Sequence, residues 1–242
     1  MSSGVRSLVC LGATPFNEIA EVVRDINAVE RRYHVEAILD DDTSLHGKEI
    51  EGVRVVGPLM QARAFPNASF IFGIASFQAR LLRYQLVQQL DIPRERFETL
   101  IHPTAKIYST ARVGFGGIIH AGVVILNQSV LDDFVVVFPN TVIGPSNRVA
   151  EGVIIGPSVT ITTHTLIGAY AHLGAACSVG DHATVGTGAQ VGMGSLVLGK
   201  VAPGVFCLGL PPRTLRRNAV PPELIKNFEL LNQGRTRKLS RG

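Results

Sequence analysis

The sequence predicts a two-part chain: an α/β unit over residues 1–98 and a parallel β-helix over residues 99–212, followed by a basic segment, 213–242. Two observations carry this. From Ile101 to Val197 every sixth residue is Ile, Leu or Val, seventeen times in succession. A helix repeats its buried face roughly every 3.6 residues and a strand about every 2, so neither sustains that beat. A solenoid does, because each turn of chain buries the same inward position on its neighbours. The second observation is the alternation of strand and helix patterns upstream, which marks a mostly parallel sheet.

Taken in order, residues 6–12 form an apolar run ending in Gly12 and read as a first strand. Residues 17–29 carry apolar side chains at helical spacing, with Thr14 and Pro15 placed as a helix start. Residues 35–39 are a second strand that ends in Asp40, Asp41 and Asp42. A loop containing Gly47 and Gly52 leads to a strand at 53–56, and Pro58 opens a short helix. Residues 69–75 read as a buried strand and 77–90 as a helix. Ligands in such sheets bind at the carboxyl ends of the strands, which directs attention to residues 12–16 and 40–42.

Residues 91–103 join the two parts. Within the repeat, the position two before each aliphatic is small in twelve of sixteen cases, among them Ser129, Thr141, Asn147, Thr165 and Cys177. Cys177 therefore reads as core filler, and Cys10, in an apolar run, likewise. Glycine follows the aliphatic in eight of seventeen repeats, as corners require. Pro203 stands where the next aliphatic belongs and ends the repeat. Residues 201–212 read as a closing loop and 221–231 as a last helix.

Composition excludes some functions. Residues 211–242 hold eight Lys or Arg against two acids, whereas the remainder holds 15 basic and 17 acidic residues. The basicity belongs to a tail and not to a face of the fold, so nucleic acid is not an expected partner. No apolar run is long enough to span a membrane and no signal segment opens the chain, so a cytoplasmic protein is expected. Three cysteines fit a reducing compartment.

With three hexads per coil, residues 18 apart stack about 4.8 Å from one another. That pairs His102 with His120 and His164 with His182. His164, His182 and His172 fall on outward positions. The interior of a β-helix has no room for a base, so any chemistry belongs on the outer face or in a groove between subunits. Imidazole titrates near neutrality and suits general-base work on an amine or hydroxyl. Only Asp181 supplies a carboxylate nearby, so no metal is expected.

Across nearly its whole length the chain resembles the hexapeptide-repeat sugar O- and N-acetyltransferases, which act on sialic acid or nucleotide-linked 4-amino sugars. The residues that carry the likeness are Leu100-Ile101-His102-Pro103-Thr104-Ala105, the Asp40-Asp41 pair, and the closing Gly209-Leu210-Pro211-Pro212-Arg213. The resemblance implies a Rossmann-like first domain, a left-handed β-helix, a homotrimer, and acyl-CoA, usually acetyl-CoA, lying between neighbouring prisms. It implies that Gly12, Ala13, Thr14, Asp40 and Asp41 hold a nucleotide-linked sugar. Gly180, Asp181, Gly209, Pro211 and Arg213 would lie along the acyl-CoA, with N–H groups near Gly180 polarising the thioester. His164 and His172 are the catalytic candidates.

Two departures stand out. The family's first loop reads Gly-Ala-Gly-Gly-His-Ala, and here it is Gly12-Ala13-Thr14-Pro15-Phe16-Asn17. The family's base, two residues after a repeat aliphatic, falls on Thr163, with His164 at the following acidic position and Asp181 as the nearest carboxylate. The expected function is acyl transfer from acyl-CoA to an amino or hydroxyl group of a sugar. The alternative is a catalytically silent nucleotide-sugar-binding or scaffold protein.

Overall fold

Each hexad folds into a two-residue strand and a corner. From Lys106–Ile107 to Leu196–Val197 the second residue of each strand is the repeat aliphatic and faces the interior, while the first faces out; at the first rung Ile101 is 40% exposed and Leu100 is buried against the α/β unit. The coils stack in register 18 residues apart: Leu100–Ile101 pairs with Ile118–Ile119, which pairs with Val136–Val137, and so on up the prism. Three parallel sheets result, and the domain is a left-handed β-helix. Face 1 starts at Leu100–Ile101, face 2 at Lys106–Ile107 and face 3 at Arg112–Val113. The structure, a computed structural model, describes residues 4–73, 80–217, 220–227 and 229–230.

The interior is one continuous stack of Ile, Val and Leu, with Cys177 and Cys207 buried among them. Many corners pass through the left-handed backbone region at non-glycine residues, including Gln128, Asn140, Ser146, His164 and His182. After Pro203 the expected closing loop is instead a strand, Val205–Gly209, which adds to face 1. Pro212–Arg217 then folds back antiparallel upon it. The hairpin runs past residue 212, because its backbone pairing outlasts the hexapeptide signal. Residues 222–227 and 229–230 are helical, and Thr187 Oγ1 donates to the Leu224 carbonyl at 3.3 Å. The rest of the basic tail lies outside the described residues.

The N-terminal sheet has five strands: β1 (Arg6–Leu11), β2 (Tyr33–Leu39), β3 (Glu49–Ile50), β4 (Val53–Gly57) and β5 (Ser69–Phe72). Their order is β3-β4-β2-β1-β5, parallel except for the β3–β4 pair. Helix α1 (Phe16–Val29) buries Phe16, Ile19, Val23 and Ile26. It shares one core with Leu8, Cys10 and Ile38 of the sheet and with Leu100, Ile118 and Val136 of face 1. Helix α2 (Arg80–Leu90) and the turn Leu59–Ala64 cover the other side of the sheet, where Phe70, Phe72 and Phe97 pack against Phe134 of the prism. Residues 74–79, which include the end of the expected strand and the start of the expected helix, lie outside the described residues. Fully burying one such side chain stabilises by roughly 1.5–3 kcal/mol, so the junction between the two parts is a core and not a hinge. Arg94 fastens it further, reaching Asp133 at 2.7 Å and Glu151 at 2.8 Å.

Candidate active site

The corner between faces 2 and 3 that carries His164 is fixed from below by polar side chains inside the prism. Ser129, Asn147 and Thr165 occupy the same small position in successive coils and are all buried. Asn147 Nδ2 donates to the carbonyls of Gly144 and Thr162, both at 2.8 Å. Its Oδ1 accepts from the Thr165 amide at 2.7 Å and the Thr165 hydroxyl at 2.9 Å. Ser129 Oγ donates to the Gly144 carbonyl and accepts from the Asn147 amide. Every hydrogen-bonding group of the Asn147 amide is used, as burial demands. Gly144 is required here: a Cβ on it would lie 1.9 Å from the Thr162 carbonyl oxygen.

On this base sit Thr163 and His164. Thr163 Oγ1 lies 3.0 Å from the Pro145 carbonyl and 2.8 Å from His164 Nδ1. A carbonyl only accepts, so the threonine hydrogen goes to Pro145 and the hydroxyl oxygen accepts from His164 Nδ1–H. Neutral His164 is thereby held as the Nδ1–H tautomer, with the Nε2 electron pair unprotonated. Its exposed ring stacks on His182 with centroids 5.2 Å apart, as the 18-residue register predicts. Asp181 bonds elsewhere. Its Oδ1 accepts from the Thr163 amide at 3.4 Å. Hydrogen bonds from Thr162 and Thr163, and then the two imidazoles, hold its carboxyl below the usual range. Asp181 therefore braces the corner and makes no hydrogen bond to the His164 ring.

His172 lies on the strand His172–Leu173 of face 1, half-buried and in register with Ile154 and Gln190. A corner of a triangular prism is opposite its third face, so one protomer does not bring His172 and His164 to a common surface. Gly180 departs from expectation. Its N–H donates to the Val197 carbonyl at 2.8 Å and so is spent within the prism ladder. Gly209, Pro211 and Arg213 form the tip and return of the terminal hairpin, with the Gly209 amide on Ser195 Oγ at 3.0 Å. Around that end, Met193, Leu198, Leu208, Leu210 and Leu215 are exposed.

The carboxyl ends of β4, β2, β1 and β5 lie side by side, bringing Gly57, Asp40, Gly12 and Gly73 together. The Asp40 carboxylate closes this edge: Oδ2 accepts from the Ala13 amide at 2.7 Å and Oδ1 from the Asp42 amide at 2.9 Å. Asp41 Oδ1 accepts from the Leu59 amide at 2.9 Å. Thr14 does not cap α1; the helix starts after Pro15 without a side-chain cap. A Cβ at Gly73 would stand 2.2 Å from the Gly12 carbonyl oxygen, so the backbones of β1 and β5 approach too closely there for a side chain.

The other predicted histidine pair keeps its register, but the two rings take different partners. His102 Nε2 bonds Asp25 at 2.8 Å, while His120 stacks on Phe138 at 4.9 Å. The bracing roles of Asn147 and Asp25 escaped sequence reasoning; the one signal available for Asn147 was a string of polar residues at inward positions 18 apart. Among the described residues, no helix is long and apolar enough to cross a membrane. Among the same residues, no group of three or more His, Cys, Asp or Glu is arranged to hold a metal ion.

Neither protein-family models nor curated protein sequences give a match to the chain. Solved structures do. A mutant of perosamine N-acetyltransferase from Caulobacter crescentus, in complex with CoA and GDP-perosamine, superposes with a TM-score of 0.76 at 22% identity. It covers 88% of this chain and 98% of its own. The chain shares their fold. The acetyltransferase domain of PglB from Neisseria gonorrhoeae FA1090, in complex with acetyl coenzyme A, gives 0.74 at 24% identity, covering 88% of this chain and all 100% of its own. WeeI from Acinetobacter baumannii AYE gives 0.71 at 17% identity, covering 87% and 100%. The likeness thus includes both the α/β domain and the prism, as the sequence resemblance implies.

Proposed function

We propose that the chain is an acyl-CoA-dependent transferase that delivers an acyl group, acetyl in the simplest case, to an amino or hydroxyl group of a nucleotide-linked sugar. The observation that carries this reading is the Nδ1–H tautomer of His164, which leaves Nε2 an unprotonated base on an exposed corner. The fold is that of proteins solved with CoA and a GDP-linked sugar, which supports the choice of substrates.

In this reading the acceptor nitrogen or oxygen attacks the thioester carbonyl carbon. The new C–N or C–O bond forms, the C–S bond breaks, and His164 Nε2 takes the acceptor's proton. Direct attack is favoured because no thiol is available as a nucleophile. Cys10, Cys177 and Cys207 are buried, and desolvation pushes each thiol up. The sheet edge at Gly12, Ala13, Thr14, Asp40 and Asp41 would take the nucleotide; each carboxylate still has lone pairs beyond those on Ala13, Asp42 and Leu59. The exposed apolar side chains around the terminal hairpin suit the arm of acyl-CoA, with Asp181 at the corner and Gly209, Pro211 and Arg213 beside it.

A prism corner is convex and offers a substrate one wall only. A second protomer supplies the other, and a cyclic trimer is the arrangement that would set the face bearing one protomer's His172 against its neighbour's His164. Calorimetric titration with acetyl-CoA and a panel of nucleotide sugars, followed by turnover assays, tests the proposal. Acyl-CoA binding at one site per chain with turnover is the expected result. Nucleotide-sugar binding without acyl-CoA binding would instead make the chain a silent binding protein and end the role of His164 as a base.

A further inference from the structure

A second concave site lies away from that corner, between α1 and the first coils of the prism. It is a groove of about 450 Å³, within the usual range for small-molecule sites. Its floor is apolar, with Val22, Ala121, Phe138, Pro139 and Pro157. Its polar lining is Glu18, Glu21 and Asp25 of α1 together with His102 and His120. Among the described residues, no lysine or arginine lines it.

The two imidazoles differ in what they have left to offer. The Thr104 amide donates to His102 Nδ1 at 3.1 Å, so the proton of that ring is on Nε2 and is given to Asp25. Both His102 nitrogens are therefore committed, while the Asp25 side chain stays 54% exposed. His120 is only 8% exposed; no hydrogen bond among the described residues uses its ring nitrogens, and neither nitrogen is fully sealed from solvent. Its ring lies flat on Phe138 and lines the groove. Its nitrogens reach the groove, where a donor on a bound molecule can take the place of water.

Burial, and next the neighbouring His102, hold His120 neutral at physiological pH, so it adds no positive charge and presents an electron pair. Glu21 is partly engaged by Arg24; among the described residues, Glu18 makes no ion pair. Acceptors thus dominate the groove, carboxylates form its mouth, and two stacked rings present a π-face that also favours cations. We propose that this groove binds a small organic amine through its ammonium group, with carbon chain or ring on the apolar floor and N–H donors to Glu18, Asp25 and His120. Free amines and an amino group on a larger metabolite share this chemistry.

Titration calorimetry of the full chain at low salt tests it, with spermidine and cadaverine as free amines and glucosamine as an amino group on a sugar. Magnesium chloride serves as a non-specific cation control. Saturable binding of at least one amine at one site per chain, with a dissociation constant no weaker than about 1 mM, is expected. Glu18→Gln, a change on an exposed helix face, should weaken it at least about fivefold. His120→Phe, which keeps the stack on Phe138, should do the same. Preference for glucosamine over the polyamines would assign the site to an amino-bearing metabolite, and the reverse order to free amines; either supports the site. No saturable amine binding below about 10 mM, equal binding by the variants, or equal displacement by magnesium would overturn it. Because the variants leave His164 untouched, acyl transfer measured in parallel keeps this test separate from the reading of the corner.

Discussion

Thr163 Oγ1 accepts a hydrogen bond from His164 Nδ1–H while donating its own hydrogen to the Pro145 carbonyl, so the threonine that stands where the family resemblance places a base orients the histidine beside it. The usual orienting group for such an imidazole is a carboxylate. Here a hydroxyl, itself locked by a main-chain acceptor, sets the tautomer.

Replacing His164 with Ala should lower turnover with acetyl-CoA by about a hundredfold or more, the range for a general base. Thr163→Val removes one orienting hydrogen bond, worth roughly 1 kcal/mol, and should cost about fivefold to tenfold in kcat with KM for acetyl-CoA unchanged. Thr163→Ser should restore activity. Wild-type kcat in the valine variant would mean that the corner does not depend on this contact.

Asn147 is the brace beneath that corner. Asn147→Ala strips the part-buried Thr162 carbonyl and the buried Thr165 amide of their partners, and each orphaned group costs about 1–3 kcal/mol. Urea unfolding should show a loss of about 3 kcal/mol in total. Asn147→Asp should fare worse, because it turns an acceptor toward two carbonyl oxygens.

His120 predicts an acid-sensitive fold. Burial, then the neighbouring His102, push its pKa down from 6.5 to about 4. Above pH 6.5 the ring is neutral whether the chain is folded or not. Between 6.5 and about 4 the unfolded chain takes up a proton that the folded chain refuses, so stability falls as pH falls through that window. The contribution is at most about 3 kcal/mol. Thermal melts at pH 7 and pH 4.5 should differ less for His120→Phe than for the wild type, and an identical pH dependence would refute the assignment.

Complementation tests whether the site is shared. If His164 of one protomer works with His172 of another, His164→Ala and His172→Ala chains should each be impaired. Mixed from the unfolded state in equal amounts, they should regain activity in roughly a quarter of sites. No recovery would place both histidines' contributions within one protomer or assign none to His172.

The coil stack was legible because a six-residue beat has one economical solution, and the His164–His182 stack followed from the same arithmetic. The ladder Ser129–Asn147–Thr165 was visible only as a string of small polar residues, since which carbonyl each one meets depends on how a corner turns. The groove was hidden for a different reason: Glu18 and Asp25 come from a helix roughly eighty to a hundred residues before the histidines they face, and no local pattern reports that packing. Asp40 was singled out at the strand end, yet its bond to the Ala13 amide depends on how tightly β1 and β2 converge. Thr14 looked like a cap because local propensity favours it; the convergence of the two strand ends gave the closing role to Asp40 instead.

The terminal hairpin has one more consequence. Identical rungs stacked in parallel carry no instruction about when to stop, and the last rung of a prism is as good a template as the one before it. On face 1 that place is taken by Pro212–Arg217, which runs in the opposite direction, with Arg216 lying over the Phe206 ring. A reversed, arginine-bearing strand does not template another parallel rung. The turn at residues 210–211 thus acts as a chain terminator for the architecture, keeping a fold built by addition from continuing into a fibre.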